Sequence, residues 1–317
     1  MAEIGTDIGK AAELLKAGQL VAIPTETVYG LAGNALDPVA VTAIFTVKNR
    51  PKFDPLIVHV SDLEQAARYT LEVPPGAKLL AEAYWPGPLT LLMPKHEEVP
   101  DLVTAGMPDV GMRAPAHPLT RQLLASLPFP LAAPSANPFG YISPTQPDHV
   151  NAQLGDRIAY ILDGGTCTVG IESTVVGFMN DAEAVVYRMG GLSLEHIEAV
   201  IGKVGVKTHS SSDPRSPGQL RGHYAPSKKL VLGNLEVLLR EHSPSRAGVL
   251  SFMRRYDIPY QVTLSKTGNL EEAARNFFDA LHTMENLPID IILAELVPDT
   301  GLGRAINDRL KRAAASD

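Results

Sequence analysis

Apolar residues along the chain fall into short runs separated by turn-forming residues and by stretches of helical spacing. Asp7 to Ala17 carries apolar positions one helical turn apart and closes at Gly18, which predicts an amphipathic helix. The run QLVAIP follows as a buried strand ending at Pro24. Asp37 and Pro38 supply an N-cap and a first-turn proline for a second helix through Val47, and LIVHV predicts the next strand. Further strands are predicted at LTLLM, PLAAP, IAYIL, STVVGF and AVVYR, with helices at Pro118 to Ala125 and Leu194 to Ile201. Strand spacing is irregular and several connections are of hairpin length. The expectation is an α/β fold with a mixed, twisted sheet flanked by helices, forming a domain over residues 1–205.

The periodicity lapses between Gly202 and Lys229, where KVGVKTHSSSDPRSPGQLRGHYAPSKK is rich in Ser, Gly and Pro. That composition predicts an interdomain linker at 206–228. Beyond it, KLVLG, AGVLSF, YQVTL and IDIILAEL alternate with helical segments at Leu235–Glu241, Leu270–Met284 and Leu302–Ala313. Strands alternating with helices predict a small doubly wound domain over 229–317. No period repeats between the two halves.

Composition narrows the class. The 317 residues carry 28 Lys+Arg against 35 Asp+Glu, a formal charge of −7, with 45% hydrophobic residues. A soluble two-domain chain of ordinary composition follows, and bulk nucleic-acid binding, which favours a basic excess, does not. No run approaches the ~18 apolar residues of a membrane span, and the N-terminal stretch carries acids where a signal peptide is apolar, so a cytoplasmic location is expected. One cysteine, Cys167, excludes an internal disulfide and fits a reducing compartment; it reads as structural. The charge is unevenly placed: residues 203–229 carry six Lys+Arg and one acid, a local +5, which leaves −12 elsewhere.

Common catalytic signatures are absent. GxxxxGK[ST], HExxH and GxSxG do not occur, the nine histidines are dispersed, and Gly301-Leu302-Gly303 lacks the third glycine of a dinucleotide loop. What remains are polar clusters just after strands, where the loops of α/β sheets bind ligands. They are PTETVYGLAGNA (24–35), VKNRPKFDPLIVHV with Lys48, Arg50 and Lys52, VGMRAP with Arg113 after a short strand, APSANPFGYISPT (133–145), GIESTVVGF, and YRMGG with Arg188 ending a strand. In an extended segment Lys48, Arg50 and Lys52 share one face. The plain alternatives are a solvated basic turn for these cations, a packed core residue for His59 and a structural role for Glu172. Taken together, the six loops point to an anionic ligand held by side chains and backbone N–H groups.

These motifs resemble the threonylcarbamoyl-AMP synthases of the YrdC type in their long, two-domain form. The resemblance rests on PTETVYGLAGNA, Lys48-Asn49-Arg50 with PLIVHV, YWPGPLTLL, Ser135-Ala136-Asn137, GIESTVV, RMGG, and on SPGQLRGHYAP and GLGRAINDRLKRAA in the second half. One departure is Asp54, where the family pattern has asparagine. The resemblance implies a YrdC-like catalytic domain with a Rossmann-like C-terminal domain, joining L-threonine, bicarbonate and ATP into threonylcarbamoyl-adenylate and pyrophosphate for a tRNA adenosine modification. It places Lys48 and Arg50 in a catalytic role. It puts Thr27, His59, Arg113, Ser135 and Ser173 around threonine, and Arg50, Asp54, Asn137, Thr145, Arg188 and Tyr224 around ATP, with Mg²⁺ entering on the phosphates and no organic cofactor. The basic linker bearing Tyr224 is expected to fold over the triphosphate as a lid. Expected partners are a downstream tRNA threonylcarbamoyl transferase complex and weak contact with tRNA, and the chain is expected to be monomeric.

Two other readings stay open on the residues alone. A non-catalytic RNA-gripping module would use the same cations, although 6% aromatics offers few stacking platforms. A carbamoyl-adenylate former acting on another amine or on carbamoyl phosphate would share the loops, as in larger hydrogenase-maturation proteins, but acylphosphatase and zinc-finger segments are missing here.

Overall fold

A computed structural model describes residues 1–179, 183–208, 224–243 and 245–315. Of the linker predicted at 206–228, residues 209–223 lie outside the described residues. The first half contains strands β1 (Glu3–Gly5), β2 (Val21–Ile23), β3 (Gly30–Asn34), β4 (Ile57–His59), β5 (Leu89–Pro94), β6 (Asp109–Arg113), β7 (Leu131–Ala132), β8 (Tyr160–Leu162), β9 (Thr174–Met179), β10 (Glu183–Arg188) and β11 (Gly205–Val206). Its helices are α1 (Ile8–Lys16), α2 (Pro38–Lys48), α3 (Leu63–Arg68), α4 (Pro75–Tyr84), α5 (Asp101–Thr104), α6 (Pro118–Ser126), α7 (Pro147–Leu154) and α8 (Leu194–Ile201). The second half holds β12 (Lys229–Leu232), α9 (Leu235–Glu241), β13 (Ala247–Ser251), β14 (Gln261–Thr263), α10 (Leu270–Asn286), β15 (Ile291–Ala294) and α11 (Gly303–Ala314).

The first sheet is mixed, in the order β1-β8-β2-β3-β7-β4-β6-β5-β9-β10-β11. Helices cover it on both faces. Ala11, Leu15, Leu123 and Leu124 of α1 and α6 pack on Val21, Ile23 and Leu162, while α2 and α4 bury Val41, Ile44 and Leu80 against Ala22, Val58 and Leu91. The second sheet is wholly parallel, in the order β12-β15-β13-β14. Alternation along its strands sends Leu230, Leu250 and Ile292 to the face under α10 and α11, and Val231, Val249 and Leu293 to the face under α9. That is the doubly wound arrangement the alternating pattern predicts.

Caps fix the helix starts. Asp7 accepts from Lys10 N, and Asp37 from Val39 N with Pro38 behind it. Helix α2 runs one residue past its predicted end, and Asn49 then closes it at φ 52°. This corrects the extended reading of Lys48, Arg50 and Lys52. Because Lys48 is the last helical residue and Asn49 is left-handed, the three cations do not share a face: Lys48 and Arg50 are buried and Lys52 is exposed. Arg113 is the last residue of β6 rather than a loop residue after it.

The two halves share a core. Val28, Ile142, Ile171 and Tyr224 pack with Phe277, Phe278 and Leu281 of α10. At Gly170, φ +78°, a Cβ would lie 2.4 Å from the Arg275 backbone, so only glycine allows α10 this approach. Across the same contact His149 of α7 stacks on His282 of α10, ring centroids 3.8 Å apart, and His149 faces Asp279 at 3.4 Å. Burial, then the neighbouring His149, push His282 down to about 4. The unfolded chain takes up this proton near pH 6.5 and the folded chain resists it to lower pH, so stability declines as pH falls between about 6.5 and 4 and is untouched by this group above that range. Urea titrations across that interval should show His282→Phe flattening the decline by up to about 1.4 kcal/mol per pH unit; identical slopes would remove His282 from the acid response.

Candidate active site

A narrow cleft opens beside the β4–β6 pair, lined by Thr27, Val28, Arg50, Ile57, His59, Arg113, Ala133, Pro134, Ser135, Glu172, Ser173, Arg188 and Tyr224. Eight of the twelve residues implied by the sequence resemblance are among them: Thr27, Arg50, His59, Arg113, Ser135, Ser173, Arg188 and Tyr224. They come from loops far apart in the chain, and the fold brings them together through backbone pairing. Parallel β4 and β6 set His59 directly beside Arg113. The loop after β7 is sewn to the β2–β3 loop by Leu31 N to Pro134 O at 2.7 Å and Ala136 N to Tyr29 O at 2.8 Å, which fixes Ser135 next to Thr27 and Val28. Within that first loop, Thr25 Oγ1 accepts from Thr27 N and Val28 N, forming the tight turn that presents Thr27. The β9–β10 pairing slips register between Val186 and Arg188, a bulge that re-aims the strand end at Arg188.

Four implied residues do not line the cleft. Lys48 reaches the loop after β7 from behind, donating from Nζ to Ser135 O at 2.5 Å and also to Asn137 O. Its amino group therefore holds the loop that carries Ser135. Asn137 donates to Pro138 O and Tyr141 O, and its buried Oδ1 has no hydrogen-bond partner. Thr145 is fully buried, its carbonyl accepting from Cys167 N at 2.9 Å and its hydroxyl 3.5 Å from His149 Nδ1. Asp54 is fully buried 2.9 Å from Arg50 Nη2, an ion pair in distance but without hydrogen-bond alignment, so neither carboxylate oxygen has a hydrogen-bond partner. Burial raises its carboxyl above the usual range against the pull of Arg50, Lys48 and Arg188.

The structure also brings in carboxylates that local reading passed over. Glu26 meets Arg113 Nη2 at 2.7 Å and takes Ala116 N on its other oxygen, so Arg113 enters the cleft already oriented. Arg113 Nε donates to Gly87 O, and its Nη1 makes no hydrogen bond within the described residues. Glu172 keeps the structural role expected of it, held by Ser143 at 2.6 Å, yet it also lines the cleft. Arg309, 137 positions further on, completes that pair at 3.2 Å. It lies within GLGRAINDRLKRAA, but nothing in that motif points to Glu172, a partner set by how the two halves pack.

The electrostatics are those of desolvated positive charge. Burial lowers Arg50 and Arg188, and lowers Lys48 strongly with Arg50 adding to the effect. His59 is pushed down to about 3 by burial and then by Arg113, so it is a neutral imidazole with Nδ1 unpartnered. Cys167 is buried with its thiol pushed up to about 12, an inert group, as expected of a structural cysteine. A cleft built this way attracts anions and orients carboxylate and phosphate groups.

Residues 13–190 match the family described as Telomere recombination (Sua5/YciO/YrdC), and residues 192–315 match the Threonylcarbamoyl-AMP synthase, C-terminal domain. The chain is 41% identical to the threonylcarbamoyl-AMP synthase of Pyrococcus abyssi, covering 96% of this chain and 93% of that one. It is also 41% identical to the enzyme of that name from Bacillus subtilis, covering 97% and 92%. The crystal structure of P. abyssi Sua5 complexed with L-threonine superposes with a TM-score of 0.93 at 38% identity, over 99% of this chain and 97% of that one. With both halves matched in order, this chain belongs to the threonylcarbamoyl-AMP synthase family.

Proposed function

We propose that the cleft condenses L-threonine, bicarbonate and ATP into L-threonylcarbamoyladenylate and pyrophosphate, a nucleotidyl transfer that opens the threonylcarbamoylation of a tRNA adenosine. The observation that carries this reading is the gathering of Thr27, His59, Arg113, Ser135 and Ser173 with Arg50, Arg188 and Tyr224 around one buried cationic cleft. The L-threonine held by the P. abyssi protein of the same fold adds support. Residues 1–205 are the proposed catalytic domain, 206–228 the linker and 229–317 the C-terminal domain.

The chemistry balances without an enzyme-bound intermediate. The threonine amine attacks the bicarbonate carbon and water leaves, giving a carbamate. A carbamate oxygen then attacks the α-phosphorus, and pyrophosphate departs with the electrons of the broken P–O bond. Three anions must meet, so placed cations and orientation supply the catalysis. Arg113, pinned by Glu26 and Gly87 O, presents Nη1 to the threonine carboxylate. His59, too weak a base to take the ammonium proton, serves as a neutral hydrogen-bonding partner beside it. Arg50, Arg188 and Tyr224 face the nucleotide, with Asn137 and Thr145 shaping the wall behind them. Lys48 acts through the Ser135 loop.

Mg²⁺ is proposed to enter on the triphosphate oxygens and would neutralise phosphate charge there; Asp54, paired with Arg50 at 2.9 Å and outside the cleft lining, does not fit as its ligand. We propose a monomer as the working unit. The activated carbamoyl product requires a downstream transferase acting on tRNA, with weak tRNA contact at the synthase itself. No helix among the described residues is long and apolar enough to cross a membrane, and we propose a cytoplasmic site of action.

Pyrophosphate release should require ATP, L-threonine and bicarbonate together; release that ignores threonine or bicarbonate contradicts the reading. Arg113→Lys, which cannot pair bidentately, should raise the threonine KM about 10- to 100-fold, the loss of roughly 1.5–3 kcal/mol of charge-assisted bonding, while the ATP KM moves less than threefold. Tyr224→Ala should raise the ATP KM or lower turnover, and unchanged kinetics in that variant would sink its nucleotide-side role.

A further inference from the structure

Arg309 is the largest fully buried side chain among the described residues and it lies on α11, in the C-terminal half. It does not line the cleft, yet its contacts run to residues that do. Nε and Nη2 both lie 3.2 Å from Glu172 Oε2, and Nη1 donates to Met189 O at 2.6 Å. The guanidinium carbon sits 5.3 Å from the centroid of the Tyr224 ring, packed as a cation against its face. Glu172 and Tyr224 line the cleft themselves, Ser173 follows Glu172, and Arg188 precedes Met189. One planar fork therefore fixes the wall of the cleft from behind at three places. Glu172 is closed from the other side by Ser143 Oγ at 2.6 Å, so its carboxylate has one orientation. At Gly190 a Cβ would fall 2.3 Å from Glu172 O, which shows how closely the two segments approach under this fork.

The helix carrying Arg309 is itself tied to α8 and to the start of the linker. Arg304 pairs with Glu195 of α8 at 2.6 Å, and Arg312 donates to Thr208 O at 2.8 Å while pairing with Asp308 at 2.9 Å. Burying a guanidinium for stability alone is poor design, since an apolar side chain of similar volume often does as well or better. Its use lies in the fixed fork geometry, which a hydrophobic residue or a lysine does not reproduce.

We infer that Arg309 is a positioning residue, through which the C-terminal domain sets the geometry of Glu172, Arg188 and Tyr224 and so tunes capture of the nucleotide. The inference rests on the cleft being the adenylate-forming site proposed above. It gives the C-terminal domain a direct part in the reaction: the wall of the site is finished by a residue that never touches substrate.

The test uses the full-length protein, with pyrophosphate release followed at varied ATP under saturating L-threonine and bicarbonate. Arg309→Lys keeps the buried charge but not the three-way fork. It should melt within a few degrees of the wild type, raise the ATP KM about tenfold or more and lower kcat by a smaller factor. Glu172→Gln should do the same, and combining the two should add little, because both remove one shared constraint. A folded Arg309→Lys with an ATP KM within twofold of wild type overturns the inference, as does a loss confined to kcat in proportion to unfolded protein. Should Arg309→Lys fail to fold, the ATP KM of Glu172→Gln decides: a tenfold rise supports the inference and a wild-type value ends it. Wild-type protein that releases no pyrophosphate counts against the proposed function instead, and calorimetric ATP affinities of the wild type and Arg309→Lys then read the inference by the same tenfold criterion.

Discussion

The rest of the molecule is organised around a buried surplus of positive charge. Lys48, Arg50, Arg113, Arg188 and Arg309 are all withdrawn from water, and the buried carboxylates among them are Glu26, Asp54 and Glu172. With Arg312 and its partner Asp308 included, five guanidiniums still face four carboxylates, so the surplus does not depend on Lys48. A desolvated cation is tolerated only where its donors are met. Each of the first five cations meets a backbone carbonyl: Ser135 and Asn137 for Lys48, Asp54 and Pro55 for Arg50, Gly87 for Arg113, Ser173 for Arg188 and Met189 for Arg309. Carbonyl dipoles satisfy hydrogen bonds without cancelling charge, so the surplus remains available to an anionic ligand.

This requirement explains the loop composition. A carbonyl that accepts from a side chain must be held clear of a strand or helix ladder. Proline neighbours serve that purpose, since they donate no N–H and hold φ near −65°. Pro51 and Pro55 bracket the Arg50 acceptors, and Pro134 and Pro138 bracket those of Lys48. The glycines do complementary work where chains must nearly touch, as at Gly190 beneath Glu172. What looks like punctuation in the sequence is the frame that keeps desolvated cations bonded.

Much of the fold was legible because its signals are local. The Asp37-Pro38 cap, the apolar strands of both halves and the alternation from 229 onward lie within single windows of the chain. Strand β3 was obscured by its glycines, and PLAAP shrank to two residues because Pro134 ends it. Within the site, the motifs marked eight cleft-lining residues but not their supports. Arg113 could be picked out, whereas its partner Glu26 lies 87 positions away and is selected by tertiary packing. A KxRxK pattern does not reveal the left-handed Asn49 that separates Lys48 and Arg50 from Lys52. Arg309 lies within the motif GLGRAINDRLKRAA, but its contacts were hidden for the same reason on a larger scale, since Glu172 and Met189 sit in the other half of the chain.

Tyr224 belongs at once to the cleft wall and to the apolar core shared by the two halves, where it packs at 5.7 Å on Phe278. Anything that contacts it from the cleft also restrains the seam between the domains. Occupancy of the cleft and cohesion of the two halves are therefore thermodynamically linked: a ligand that favours the closed seam is bound more tightly by it, and holds it shut in return.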